Sequence, residues 1–188
     1  CTRIKGELTI PDSVTNIGKH CFSYCSSFTA LKISNKINVI TTYSFYQFND
    51  LINLQIPDSV TEIQNYAFSN CRQLKSLVLS NNLEIIGPHS FSFNFKLSSV
   101  TIPNSVIHLY QYSFYNCYKL KSITLSNNIK TIGNYSFSRC PIAGGITIPD
   151  PVTQINSYAF YLCTDLNSVK IGPNVKVIAM NAFDGCKD

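Results

Sequence analysis

The chain has no tryptophan and little charge: Asp, Glu, Lys and Arg make up 13% of its 188 residues. The net charge of +5 is a mild excess, short of the basic footprint expected of a nucleic-acid binder. No run of about 18 apolar residues occurs, so no segment reads as a membrane-inserting helix. No signal-peptide pattern is present and the first residue is Cys1 rather than methionine. The chain therefore reads as a piece of a longer protein whose targeting or anchoring segments lie elsewhere. Neither G-x-S-x-G nor H-E-x-x-H is found, nor a phosphate-binding loop, and no catalytic, cofactor-binding or metal site is expected. The eight cysteines contain no C-x2-C pair of the kind that zinc sites and disulfide frameworks use, so buried structural thiols are the expectation.

What is there is a period. Phe22, Phe45, Phe68, Phe91, Phe114, Phe137, Phe160 and Phe183 follow one another at intervals of 23 residues without a slip. A fixed period of 20 to 50 residues is the mark of a solenoid. Aligned on these phenylalanines, the apolar residues fall into columns. An anchor column (Phe28, Leu51, Leu74, Leu97, Leu120, Ala143, Leu166) precedes two alternating columns that run through Leu31, Leu54, Leu77 and Ile33, Ile56, Leu79. Alternation predicts a short strand with one face inward. Pro11, Pro57, Pro103 and Pro149 stop every second strand, and Ser34, Ser80, Ser126 and Gly172 stop the others. The result is a 46-residue super-repeat. Two further columns, through Val60 and Ile63, form the return, with a brief second strand expected around Ile63 and its equivalents. Small residues precede the ruler phenylalanine and cysteine follows it at +3, which predicts a single helical or 3-10 turn there.

No coil of this kind buries its own apolar face, and eight stacked coils make one core. Residues 1–188 are expected to form a single solenoid domain of about eight repeats, a curved right-handed coil of the α/β class. Short parallel strands would line the concave side and helical or 3-10 turns the return side. At the spacing of parallel strands it should measure roughly 40 Å along its axis. Open strand edges predict end-to-end self-association of the isolated chain.

The repeat L-x-x-L-x-I-P-x-S-V-x-x-I-x-x-x-A/S-F-x-x-C reads here from Leu51 to Cys71, through Leu54, Ile56, Pro57, Ser59, Val60, Ile63, Ala67 and Phe68. It resembles the treponemal-type leucine-rich repeat of BspA-like surface proteins, over essentially the whole chain. Ala143 with Gly144-Gly145, and Phe48 and Asn94 in the cysteine column, depart from the pattern. The resemblance implies a leucine-rich-repeat solenoid and a non-enzymatic, cell-surface or secreted binding module. It implies adherence to host cells or to matrix proteins such as fibronectin. The alternative is an intracellular scaffold built on the same repeat.

Three surfaces are candidates for contact. The outward strand column holds Lys32, Gln55, Val78, Thr101, Thr124, Thr147 and Lys170. Strand propensity alone accounts for its threonines, and a broad protein surface would also fit it. On the rim leading into the strands, Arg72, Lys75, Lys96, Lys119 and Lys121 cluster in three consecutive coils, with Phe95 and Tyr118 in the column of Arg72. A solvated loop edge and a site for an acidic protein or glycan both fit. Nucleic acid does not, because the remaining surface is not basic. Outside the coil, His20 and His89 share a column with Tyr43, Tyr66, Tyr112, Tyr135 and Tyr158, read as a partly buried aromatic ladder, and Tyr46, Tyr115 and Tyr161 form a second column. Asp12, Asp58 and Asp150 read as turn-formers bonding their own backbone.

Overall fold

The computed structural model describes residues 4–187. The longer strands are β1 (Gly6–Thr9), β2 (Phe28–Lys32), β4 (Asn53–Gln55), β6 (Ser76–Val78), β8 (Ser99–Thr101), β10 (Ser122–Thr124), β12 (Gly144–Thr147) and β14 (Leu166–Lys170). Between them lie two-residue return strands: β3 (Val39–Ile40), β5 (Glu62–Ile63), β7 (Ile85–Ile86), β9 (His108–Leu109), β11 (Thr131–Ile132), β13 (Gln154–Ile155) and β15 (Val177–Ile178). Every pairing is parallel, and most residues face the one 23 positions on, as Asn53 faces Ser76 and Ile63 faces Ile86. The protein is a parallel β-solenoid.

The alternation that predicts the strands is visible as burial. Leu54, Leu77 and Val100 point inward and are buried, while the residues on either side of them in the same strands are exposed. The ruler phenylalanines from Phe45 to Phe160 are completely buried. They stack face to face, with centroids 5.1 to 5.6 Å apart between successive coils. Repeating one ring at one position thus builds a continuous aromatic spine through the core.

The expected helical or 3-10 turns on the return side are absent: among the described residues no helix of either kind forms. The reason lies in the backbone. Among the described residues fifteen non-glycine residues have positive φ, and they occupy the positions two before and two after the ruler phenylalanine, as Tyr66 (57°) and Asn70 (62°) do around Phe68. A left-handed residue at each side ends any right-handed run. The N–H groups then alternate. Ala67 and Ser69 donate three residues back, to Gln64 and Tyr66, while Tyr66, Phe68 and Asn70 donate to Pro88, Ser90 and Ser92 of the next coil. The segment is a stack of turns hydrogen-bonded along the solenoid axis.

The seventh coil departs where its sequence does. Ala143 is exposed, and Ile142, one residue earlier, fills the core in place of the expected anchor. The pairing of β12 with β14 shifts between Gly144 and Gly145, and Gly144 adopts φ 77°.

Candidate binding surfaces

The rim residues come together. Arg72, Lys75, Lys96, Lys119 and Lys121 are all exposed. The Arg72 guanidinium carbon lies 5.9 Å from the Phe95 ring centroid, and Phe95 stacks on Tyr118 at 5.3 Å with the planes 15° apart. Guanidinium and two rings therefore form one stack across three coils. Tyr118 keeps 49% of its surface exposed. Lys96 and Lys119 occupy the same position in successive coils, so roughly the 4.8 Å strand spacing separates their backbones. Lys75 and Lys121 sit at a second position two coils apart, anchored by main-chain N–H bonds to the Ile52 and Ser98 carbonyls. Phe93 links the two sets of rings. Its ring stands edge-on to Phe95 at 6.2 Å and to Tyr115 at 5.5 Å.

On the strand face, Lys32, Gln55, Val78, Thr101, Thr124, Thr147 and Lys170 are each exposed, as expected from their parity. The face is bordered by a groove that sequence reasoning did not find. One stretch of about 640 Å³ runs past Lys32, Gln55, Asp58, Val78 and Asn81. Another of about 480 Å³ runs past Thr124, Asn127, Thr147 and Asp150. Its wall is built by the strand stops. Asp12 and Asp58 accept the backbone N–H of Asn35 and Asn81 at 2.8 Å, and Asn104 that of Asn127 at 2.9 Å. This corrects the expectation that these side chains cap their own turn: the acceptor lies in the coil before its donor. The contact holds the Asp12 carboxyl below the usual carboxylate range.

The aromatic ladder is unbroken from His20 to Tyr158. Its seven rings lie 4.4 to 4.7 Å apart and within 10° of parallel. Tyr46, Tyr115 and Tyr161 meet it edge-on. His89, sandwiched between Tyr66 and Tyr112, has a buried Nδ1 without a partner, and burial holds its pKa below the ordinary value.

The cysteines divide. Cys71, Cys117, Cys140 and Cys163 are buried free thiols, each donating to a carbonyl 26 residues back, as Cys71 does to Phe45. Burial pushes Cys71 up to about 12, so the thiolate is not formed at neutral pH. Asn94 stands in this column and donates to the equivalent Phe68 carbonyl at 3.1 Å, which is why it replaces cysteine without disrupting the coil. Against the expectation of buried thiols throughout, Cys21 is exposed and Cys25 is disulfide-bonded. Cys1 lies outside the described residues. Among the described residues no group of three or more His, Cys, Asp or Glu is arranged to hold a metal, and no helix is long and apolar enough to cross a membrane.

A 23-residue coil, a parallel sheet on one side and a repeated inward leucine define a leucine-rich-repeat solenoid. The chain belongs to the BspA type leucine rich repeat region family, whose model matches residues 1–117 and 86–188 with six copies. This repeat class serves protein binding and is typically non-catalytic. Solved structures share the fold. A leucine-rich repeat protein from Bacteroides ovatus is 22% identical with a TM-score of 0.64, over 96% of this chain and 64% of its own. A leucine rich cell surface protein from Faecalibacterium prausnitzii is 26% identical with a TM-score of 0.59, over 98% and 58%. The leucine-rich repeat protein of T. pallidum is 22% identical with a TM-score of 0.63, over 92% and 72%. The chain thus spans less than two thirds of the first two structures it resembles. No curated protein matches it.

Proposed function

We propose that this chain is the binding part of a cell-surface adhesion protein, and that its strand face contacts a host-surface or matrix protein. The observation that carries the reading is the strand face itself. Seven outward side chains, from Lys32 to Lys170, are exposed and held by parallel pairing on a scaffold that needs no ordering on contact. Preorganisation lowers the entropy cost of binding a broad surface. Membership of the family and the likeness to a bacterial protein described as a cell surface protein support the surface location.

The test is binding of the chain to immobilised fibronectin, fibrinogen and epithelial cells, beside a variant carrying Thr101→Arg and Thr124→Arg. These positions are exposed, so the fold should tolerate the change. Two long charged side chains in a contact area should weaken binding at least roughly tenfold. Binding that the variant leaves intact would exclude the strand face. No binding to any of the three would favour the intracellular scaffold.

A further inference from the structure

We propose that the rim formed by Arg72, Lys96, Lys119 and Tyr118 is a second binding site, for a sulfated or otherwise polyanionic polysaccharide. It is separate from the strand face and does not depend on the protein contact proposed there.

The argument starts from charge. Five cations fall within three coils, in the columns that open onto the strands. The same columns offer carboxylates only at Asp50, one coil before the cluster, and at Asp165 and Asp188, two and three coils beyond Lys119. Lys96 and Lys119 repeat at equivalent positions of adjacent coils, where like charges raise each other's free energy in the free protein. An anionic chain laid along the axis relieves that repulsion and meets a cation at about every strand spacing.

The aromatic residues decide the kind of anion. Both faces of Phe95 are covered along the axis, one by the Arg72 guanidinium and the other by Tyr118. With the Phe95 faces taken, a ligand meets the edge of that ring, and the half-exposed Tyr118 adds its hydroxyl. Ring edges carry the positive end of the quadrupole, and the hydroxyl donates a hydrogen bond. A nucleic-acid strand needs free ring faces for its bases to stack on, and Phe95 has none. Edge, hydroxyl and evenly spaced cations suit an oxygen-rich anionic chain whose acidic groups recur at sugar intervals.

The experiment uses heparin as the probe, with the full chain, by affinity chromatography and by titration at several salt concentrations. The wild type should elute from heparin at higher salt than from a plain sulfonate exchanger. Lys96→Gln with Lys119→Gln should lower the slope of log Kd against log salt by about two. Tyr118→Ala should weaken binding roughly two- to tenfold without changing that slope. Lys32→Gln with Lys170→Gln removes the same charge from the strand face and should leave heparin affinity unchanged. Thermal unfolding of each variant checks that the fold is retained. Equal elution from heparin and the sulfonate exchanger would overturn the proposal. So would an equal loss in the Lys32 and Lys170 variant, or equally effective competition by polyglutamate. A wild-type chain that binds heparin but none of fibronectin, fibrinogen and epithelial cells would sink the protein contact alone.

Discussion

At the scale of single residues, position within a column decides chemistry. His89 and His20 are the same residue type in the same column, but His89 lies inside the ladder, 4.4 Å from a ring on each side, and His20 at its first rung. Burial disfavours the imidazolium of His89 in the folded chain. The ordinary value is 6.5 and the folded value lies below it, so the unfolded chain takes up a proton first as pH falls. Stability from this residue is full above about pH 6.5 and declines as pH drops below it. His89→Tyr restores the ring common in the column and removes the titration. Thermal midpoints measured from pH 7.5 to pH 5 should fall for the wild type and fall less for the variant; parallel curves would refute the assignment. The Asn94 substitution shows the limit of reading residue types. It looked like a gap in the cysteine column, yet what the column supplies is a donor to the carbonyl 26 residues back, and an amide supplies it too.

At the scale of elements, the strands were legible and the turns were not, for one physical reason. A strand announces itself by alternation, because side chains two apart share a face. Leu54 with Ile56 and Leu77 with Leu79 follow this rule and are buried as expected. The ruler segment announces an inward pair three residues apart, Phe68 and Cys71, which a helical turn satisfies as well as the observed stack of turns does. What separates the two is the left-handed backbone at Tyr66 and Asn70, and a tyrosine gives no sign of it. Such residues cost about 1–2 kcal/mol each. Ring stacking and the N–H bonds to the next coil offset that cost, since a stacked pair contributes roughly 0.5–1.5 kcal/mol beyond its buried area. Only the last coil places glycine at the second left-handed position, Gly185 with φ 72°. Arg139 occupies that position in an earlier coil, exposed, with φ 61°. Arg139→Gly should leave stability within about 1 kcal/mol, because lost strain and gained chain entropy nearly cancel. Arg139→Val should cost about 1–3 kcal/mol, because a branched Cβ fits this backbone poorly. Urea denaturation of both tests the reading, and a valine variant as stable as the glycine variant would remove it. The 46-residue super-repeat is also an element-level device. The Asp58 carboxylate of one coil takes the Asn81 N–H of the next, and the Asp58 carbonyl takes the Asn82 Nδ2–H, so proline-stopped and serine-stopped coils interlock in pairs.

At the scale of the molecule, the exposed surfaces were legible as columns, because a period of 23 carries each outward position into the next coil unchanged. The groove beside the strand face was not, since its wall depends on side chains of one coil bonding to the backbone of another. The same nearest-neighbour logic governs stability. In a stacked array each coil contacts only the coils before and after it, so the cost of a core deletion should scale with the number of stacked neighbours. Phe114 is fully buried between Phe91 at 5.3 Å and Phe137 at 5.5 Å. Among the described residues Phe183, partly buried, stacks on Phe160 alone, at 5.3 Å. Phe114→Ala should therefore cost about 3–5 kcal/mol, the usual range for an excised core phenylalanine, and Phe183→Ala about half as much. Hydrogen exchange should also differ in place: Phe114→Ala should loosen the amides of Phe91 and Phe137 as well as its own coil, whereas Phe183→Ala should leave every coil before Phe160 protected. Equal costs, or protection lost uniformly along the chain in both variants, would mean that the solenoid unfolds as a single cooperative block and that its coils are not separable units.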